Sequence, residues 1–173
     1  MLNVVRSSKW TYSTSDSVGG SVDPLAAEVG AIVLKDPSGQ KVSFEYGAVG
    51  GSIGWQLLGD TKVDFAGPLP KVQVGGGQLY ILDTFSGAEL SRSDLTGGCM
   101  LVEAGAGFAV QGSTEAFLLG MNLELMASVF MGPIGLLTEP LLFRSAKAVL
   151  FTWGLNTDLV PGMSAAGMMG VLV

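Results

Sequence analysis

The chain has 173 residues, a formal net charge of −6, no histidine and one cysteine. Because histidine is the usual general base near neutral pH and the most frequent metal ligand, its absence argues against a histidine triad, a zinc site or a proton shuttle. The nine basic residues are scattered over an acidic chain, which argues against a nucleic-acid partner. We therefore predict no cofactor and no metal, and we interpret Cys99 as a small buried hydrophobic residue.

Length and hydropathy favour a single domain over residues 1–173, since a chain of this size buries roughly two thirds of its unfolded surface. Residues 1–10 contain no apolar run of the length that a secretory signal needs. The longest charge-free segments, 125–138 and 159–173, are shorter than the roughly 18 residues of a spanning helix. We expect a cytoplasmic location by default, with delivery by a signal-independent secretion route as the alternative.

The residue pattern of the first half of the chain predicts antiparallel strands. An opening strand is expected around residues 10–14. The apolar run 29–35, the Asp-Pro-Ser-Gly turn at 36–39 and the alternation over 41–46 predict a hairpin. Further strands are predicted at 53–57 and 78–85, each after a glycine-rich break.

The second half mixes glycine and alanine with bulky residues at 99–110 and 164–173, which is typical of strands that bend in a small barrel. Between them, apolar residues at helical spacing from Leu123 predict a helix with Asn122 as its cap, ending at Gly132 and Pro133. Residues 138–148 could continue as a second helix, while 146–153 could equally be a strand.

These elements predict a mainly β (α+β) fold. We expect an antiparallel barrel or sandwich with one or two short apolar helices inserted after residue 121.

One polar loop carries the best candidate chemistry. Asp83, Glu89 and Asp94 lie within twelve residues, where two carboxylates could act as acid and base if burial separated their pKa values. Arg92 in the same loop could bind an anionic group. The alternative is a solvated turn, in which the carboxylates cap backbone amides and Arg92 pairs with one of them.

Glu103 interrupts an apolar run in a predicted core strand, and a buried carboxylate must be paired or protonated. It could orient a ligand in a cavity. Alternatively, it pairs across the sheet with Lys147 or Arg144.

The segment Gln78–Cys99, together with Ser113–Met121, resembles uncharacterised glycine-rich proteins of Gram-negative bacteria. This resemblance implies a bacterial origin and an association with secreted toxin systems. It includes no catalytic motif and therefore implies no activity.

Three functions follow from the sequence. The apolar surplus favours a non-enzymatic binding or assembly protein that buries an apolar interface or an apolar ligand, with a homo-oligomer or another protein as its partner. The second function is a membrane-active effector, or an accessory of one, in which residues 123–151 insert into lipid. The third is a carboxylate-based hydrolase.

Overall fold

A computed structural model describes residues 2–22, 25–51, 65–66, 76–103, 113–129, 135–154 and 168–173. Within these ranges the chain forms nine strands, β1 (Leu2–Val22), β2 (Leu25–Lys35), β3 (Lys41–Gly51), β4 (Phe65–Ala66), β5 (Gly76–Leu82), β6 (Gly97–Glu103), β7 (Ser113–Met121), β8 (Ala148–Gly154) and β9 (Met168–Leu172). The helices are α1 (Arg92–Leu95), α2 (Leu123–Val129) and α3 (Gly135–Ser145). The predicted strand at 53–57, the second half of the strand predicted at 99–110 and the predicted helix stop at 132–133 lie outside the described residues.

Eight of these strands close into an antiparallel barrel. Their order around the barrel is β1-β2-β3-β9-β6-β7-β8-β5, and β5 pairs with β1 to complete the circle. The short β4 pairs in parallel with the start of β1. The prediction of a mainly β antiparallel fold is confirmed, and of the two architectures left open the chain adopts the barrel.

The predicted hairpin is also confirmed, with its two strands longer than the sequence pattern indicated. β2 and β3 pair in register from Leu25 opposite Gly51 to Lys35 opposite Lys41. Asp36 Oδ1 accepts hydrogen bonds from the backbone amides of Ser38 and Gln40, at 2.8 and 2.9 Å. The turn is thus built by an Asp side chain that satisfies its own backbone.

An interior apolar core fills the barrel and draws on all eight of its strands, because alternate side chains of a strand point to one face. The buried side chains include Trp10, Ile32, Leu34, Phe44, Tyr46, Leu79, Ile81, Cys99, Phe117, Leu119, Leu150, Met168 and Leu172.

A second apolar layer lies on the outside of the barrel, where α2 contacts β6 and α3 contacts β7. Met126 and Val129 of α2 and Leu142 of α3 are buried in this layer. The strand residues of β5 to β8 in the same buried layer are Tyr80, Leu82, Met100, Ala116, Leu118, Val149 and Phe151. These four strands are therefore apolar on both faces.

The helical predictions are largely confirmed. Asn122 Oδ1 accepts a hydrogen bond from the amide of Leu125 at 2.9 Å, which makes Asn122 the predicted cap of α2. The chain is helical up to Ser145 and becomes a strand at Ala148, so each interpretation of residues 138–153 holds for part of the segment. No helix in the described part of the chain is long and apolar enough to cross a bilayer.

Candidate functional site: a polar loop at one end of the barrel

The loop of residues 83–96, which contains the candidate carboxylates, closes one end of the barrel. It leaves β5 at Leu82, forms α1 and enters β6 at Gly97. Leu90 and Leu95 are buried in the interior core, and the indole Nε1 of Trp10 donates a hydrogen bond to the carbonyl of Leu90 at 2.8 Å. We call this loop the plug.

Glu89 fastens the plug to β1. Its carboxylate accepts hydrogen bonds from Ser8 Oγ at 2.6 Å and from the amide of Lys9 at 3.0 Å. The amide of Leu90 donates a third, at 3.0 Å. Desolvation raises the pKa of Glu89, but these hydrogen bonds outweigh it and hold the pKa below its ordinary value. Next to this contact, Arg6 donates to the carbonyl oxygens of Gly87 and Ala88.

Asp94 fastens the other side of the plug to the start of β8. Lys147 Nζ lies 2.8 Å from Asp94 Oδ1, and the amide of Ser91 donates to Asp94 Oδ2 at 3.0 Å. Desolvation raises the pKa of Asp94, but the hydrogen bonds from Lys147 and Ser91 dominate and lower it to about 2. Asp94 is therefore ionised at neutral pH.

Gly120 of β7 allows the plug to approach the barrel wall. Its φ of +69° lies in the left-handed region, and a Cβ at this position would overlap the carbonyl oxygen of Asp94. Glycine is the residue that satisfies both conditions.

The remaining loop candidates contact other groups. Asp83 Oδ2 accepts a hydrogen bond from the side-chain amide of Asn3 at 2.7 Å, on the exposed start of β1. The guanidinium carbon of Arg92 lies 5.7 Å from the ring centroid of Phe44, at cation–π distance. Among the described residues, the ion pair of the plug is made by Lys147 with Asp94, and Arg92 has no part in it.

The plug therefore brings the three carboxylates into one loop, as predicted, but gives each its own structural partner. Asp83 bonds to Asn3, Glu89 to Ser8 and Lys9, and Asp94 to Lys147. In the part of the chain that the structure describes, no group of three His, Cys, Asp or Glu residues is arranged to hold a metal ion.

Glu103 lies at the end of β6, where its backbone pairs with Glu115 of β7. The side chain of Glu103 is outside the described residues, so its role as a ligand group stays a prediction. Lys147, one of the two partners considered for it, is bound to Asp94. Cys99 is buried as expected, and burial raises the pKa of its thiol to about 12.

A feature that sequence reasoning missed lies on the outer face of β2, β3 and β9. Val29, Val49 and Val171 are 61, 55 and 41% exposed there. Gly47 pairs with Val29 on one side and with Val171 on the other, so the three valines surround a position without a side chain. We call this surface the valine sector. Its signal in the sequence is a strand that is apolar at successive positions, as in Gly47–Ala48–Val49.

On the side towards the plug, the valine sector ends at charged residues. The outward positions of β3 run from exposed Lys41 through Ser43 and Glu45 to Gly47 and Val49. One outer face of the hairpin thus changes from charged to apolar along the barrel axis.

Comparison with known proteins identifies a bacterial toxin as a relative of this chain. No family model matches the chain, and no solved structure matches it. A toxin protein of Pseudomonas aeruginosa, Tse4, is 35% identical over 186 aligned positions, which cover 95% of this chain and 93% of the toxin. This match confirms the predicted association with bacterial toxins. The chain belongs to the family of this toxin.

Proposed function

We propose that the protein is a toxin that acts by associating non-enzymatically with the membrane of a target cell. This proposal joins two of the functions predicted from the sequence, burial of apolar surface by binding and membrane activity. The observation that carries it is the valine sector, an exposed charge-free surface on the outer wall of a closed barrel. The relation of the chain to a protein named as a toxin supports a harmful action on another cell.

The dimensions of the sector suit the interfacial region of a bilayer. Glu45 is the last charged residue in the outward row of β3, and Val49 lies four residues beyond it. At about 3.3 Å per residue, this distance is about 13 Å along the strand. Apolar surfaces that lie in a membrane interface reach roughly 5–10 Å into it, so a tilted strand would place Val49 among acyl chains and Glu45 among headgroups.

The charges beside the sector fit the same orientation. Lys35 and Lys41 face each other at the tip of the hairpin, and both are exposed. Their ammonium groups would lie on the headgroup side of Glu45, where anionic phosphates attract Lys.

The free energy of transferring the three valines from water to lipid determines how much the valine sector contributes to membrane affinity. Full burial of a valine contributes about 1.5 kcal/mol or more, so a half-exposed valine contributes about 1 kcal/mol. The three together contribute about 3 kcal/mol, which is roughly a hundredfold in membrane affinity.

The test replaces these valines with threonine, which keeps the shape and the strand preference but adds a hydroxyl. Wild-type protein and the triple variant V29T/V49T/V171T are mixed with vesicles of phosphatidylethanolamine and phosphatidylglycerol, and flotation and dye release are measured. We expect the triple variant to lose most of its binding and dye release.

Val5→Thr is the matched control, because Val5 is 49% exposed on β1, outside the sector. We expect V5T to behave as wild type. Wild-type protein that neither floats nor releases dye would refute the proposal, and so would a triple variant as active as wild type.

A further inference from the structure

The strands β5 to β8 are apolar on both faces, and α2 and α3 contact the outer face at β6 and β7. Inside the barrel, Leu79 and Leu150 belong to the core. Outside, Tyr80 and Val149 belong to the same buried layer as Met126 and Leu142 of the two helices. A strand that is apolar on both faces is stable in water only when both faces are covered.

The cover is a single insertion between two neighbouring strands. β7 ends at Met121 and β8 begins at Ala148, and the two strands pair directly from Ser113 opposite Gly154 to Leu119 opposite Ala148. Adjacent antiparallel strands can be joined by a turn of two residues. An insertion is therefore not needed to close the barrel, and what α2 and α3 add is a cover over its outer wall. We call α2 and α3 the helical cover.

Polar contacts hold the cover together as a unit. At its base, Ser145 Oγ accepts a hydrogen bond from the amide of Asn122 at 2.9 Å. Further out, Ser128 Oγ lies 3.0 Å from Thr138 Oγ1, which joins α2 to α3. These contacts link the two helices to each other, so they can persist if the cover moves away from the barrel.

The side chains of α2 and α3 that pack on the wall are apolar, whereas the polar contacts with the wall come after α3, where the amide of Lys147 donates a hydrogen bond to the carbonyl of Leu119 at 3.0 Å. Met126, Val129 and Leu142 pack on the strands. Such contacts are non-directional, and lipid tails are as apolar as the leucine side chains that they would replace. Within α3, Pro140 removes a backbone donor, which weakens the helix's own hydrogen bonding.

The covered surface is continuous with the valine sector. Val49 of β3 pairs with Met169 of β9, and Met169 belongs to the layer beneath the helices. If the cover left the wall, the exposed apolar side chains among the described residues would extend from β2 through β3, β9, β6, β7 and β8 to β5.

We propose that the helical cover is released when the protein meets lipid, and that the outer face of β5 to β8 then contacts the acyl chains. This inference rests on the proposed function. In water the covered state is favoured, because opening exposes Met126, Val129 and Leu142 together with the wall. The valine sector contacts lipid in both states, but the outer face of β5 to β8 contacts lipid only in the open state, and a ligand shifts an equilibrium by its difference in affinity for the two states.

Thiol labelling tests the release directly. In a C99A background, M126C places a thiol on the buried side of α2, and L119C places one in the barrel interior. Reaction with a maleimide is followed with and without vesicles of phosphatidylethanolamine and phosphatidylglycerol, and flotation measures binding in the same samples. We expect vesicles to accelerate labelling of M126C at least about tenfold and to leave L119C protected.

A pair of leucine truncations gives the second readout. Leu142 in the cover and Leu119 in the interior are both fully or almost fully buried, at 0 and 1% exposure. Both changes to alanine destabilise the fold by a similar mechanism. We expect L142A to accelerate dye release several-fold, whereas L119A leaves the rate unchanged once the unfolded fraction is subtracted.

The outcomes separate the two proposals. If wild-type protein does not float with vesicles, both are overturned. If it floats while M126C stays protected, or if L142A and L119A release dye at equal rates, the cover is not released and only the present inference is overturned.

Discussion

Gly120 combines a backbone that only glycine adopts easily with a close approach to the plug, so Gly120→Ala measures how tightly the plug is seated. An L-residue in the left-handed region costs about 1–2 kcal/mol. In addition, the new methyl group would overlap the backbone carbonyl of Asp94, and this methyl group would lie 3.3 Å from Lys147 Cδ. Relieving that overlap requires the plug or β7 to move, and overpacking of this kind costs about 1–3 kcal/mol. The expected total is about 2–5 kcal/mol.

Gly39→Ala is the matched control. Gly39 has a φ of +88°, but a Cβ there has nothing within 4 Å, so this variant loses only the backbone contribution of about 1–2 kcal/mol. Both variants and wild type are unfolded in urea and followed by circular dichroism and tryptophan fluorescence. We expect the free energy of unfolding of G120A to be about 1–3 kcal/mol lower than that of G39A. Equal losses in the two variants would refute the close seating of the plug on β7.

Three further predictions concern the contacts of the plug. Because the pKa of Asp94 is lowered from 3.8 to about 2, its contribution to stability is complete above about pH 5 and is lost progressively as the pH falls through 3.8 towards 2. K147M should reduce the dependence of the free energy of unfolding on pH in this acidic range. A pH dependence as steep as that of the wild type would contradict the role given to the ion pair. E89Q removes the charge that accepts three hydrogen bonds and should cost about 1–2 kcal/mol in urea unfolding. The exposed Glu124→Gln serves as its control, and a loss no larger than that of E124Q would count against the contact with β1. W10F removes the donor to the carbonyl of Leu90 and should cost about 1–2 kcal/mol, seen as a lower melting temperature. An unchanged melting temperature would show that this hydrogen bond does not hold the plug.

Local patterns were sufficient to predict the hairpin and the start of α2. The turn at Asp36 and the cap at Asn122 each depend on contacts within four residues, which the sequence displays directly. The choice between a barrel and a sandwich depends on whether β5 pairs with β1, a contact between segments about 70 residues apart in the chain. No periodicity reports such a pairing, so both architectures had to be kept.

Some elements were missed because tertiary contacts determine them. β7 contains an apolar run, Ala116 to Leu119, that is buried on both faces and has no alternation to mark it as a strand. The strand predicted to reach Phe85 ends at Leu82, because Asp83 turns back to the start of β1. The helix predicted from residue 138 begins at Gly135, which places Pro140 in its middle.

The candidate site illustrates how one set of residues can indicate two different roles. Serine and carboxylate side chains in a loop after a strand are what an active site needs, and they are also what a loop needs to bury Leu90 and Leu95 without leaving backbone amides unpaired. The structure gives each carboxylate a partner that the local sequence does not show, since Ser8 lies 81 residues from Glu89 in the chain, and the catalytic role of these carboxylates stays a prediction.

The position of these polar contacts has a consequence for how the proposed toxin would meet a membrane. Glu89 and the Asp94–Lys147 pair hold the plug at the end of the barrel that also carries Lys35 and Lys41. Charged groups are costly to move into the hydrocarbon region, whereas apolar contacts are exchanged for lipid at little cost. The plugged end should therefore stay at the aqueous boundary while the valine sector and the wall beneath the helical cover contact lipid. On this reasoning, E89Q and K147M reduce the stability of the protein but leave the membrane affinity of its folded fraction unchanged. The variant V29T/V49T/V171T instead reduces the membrane affinity and leaves the stability unchanged.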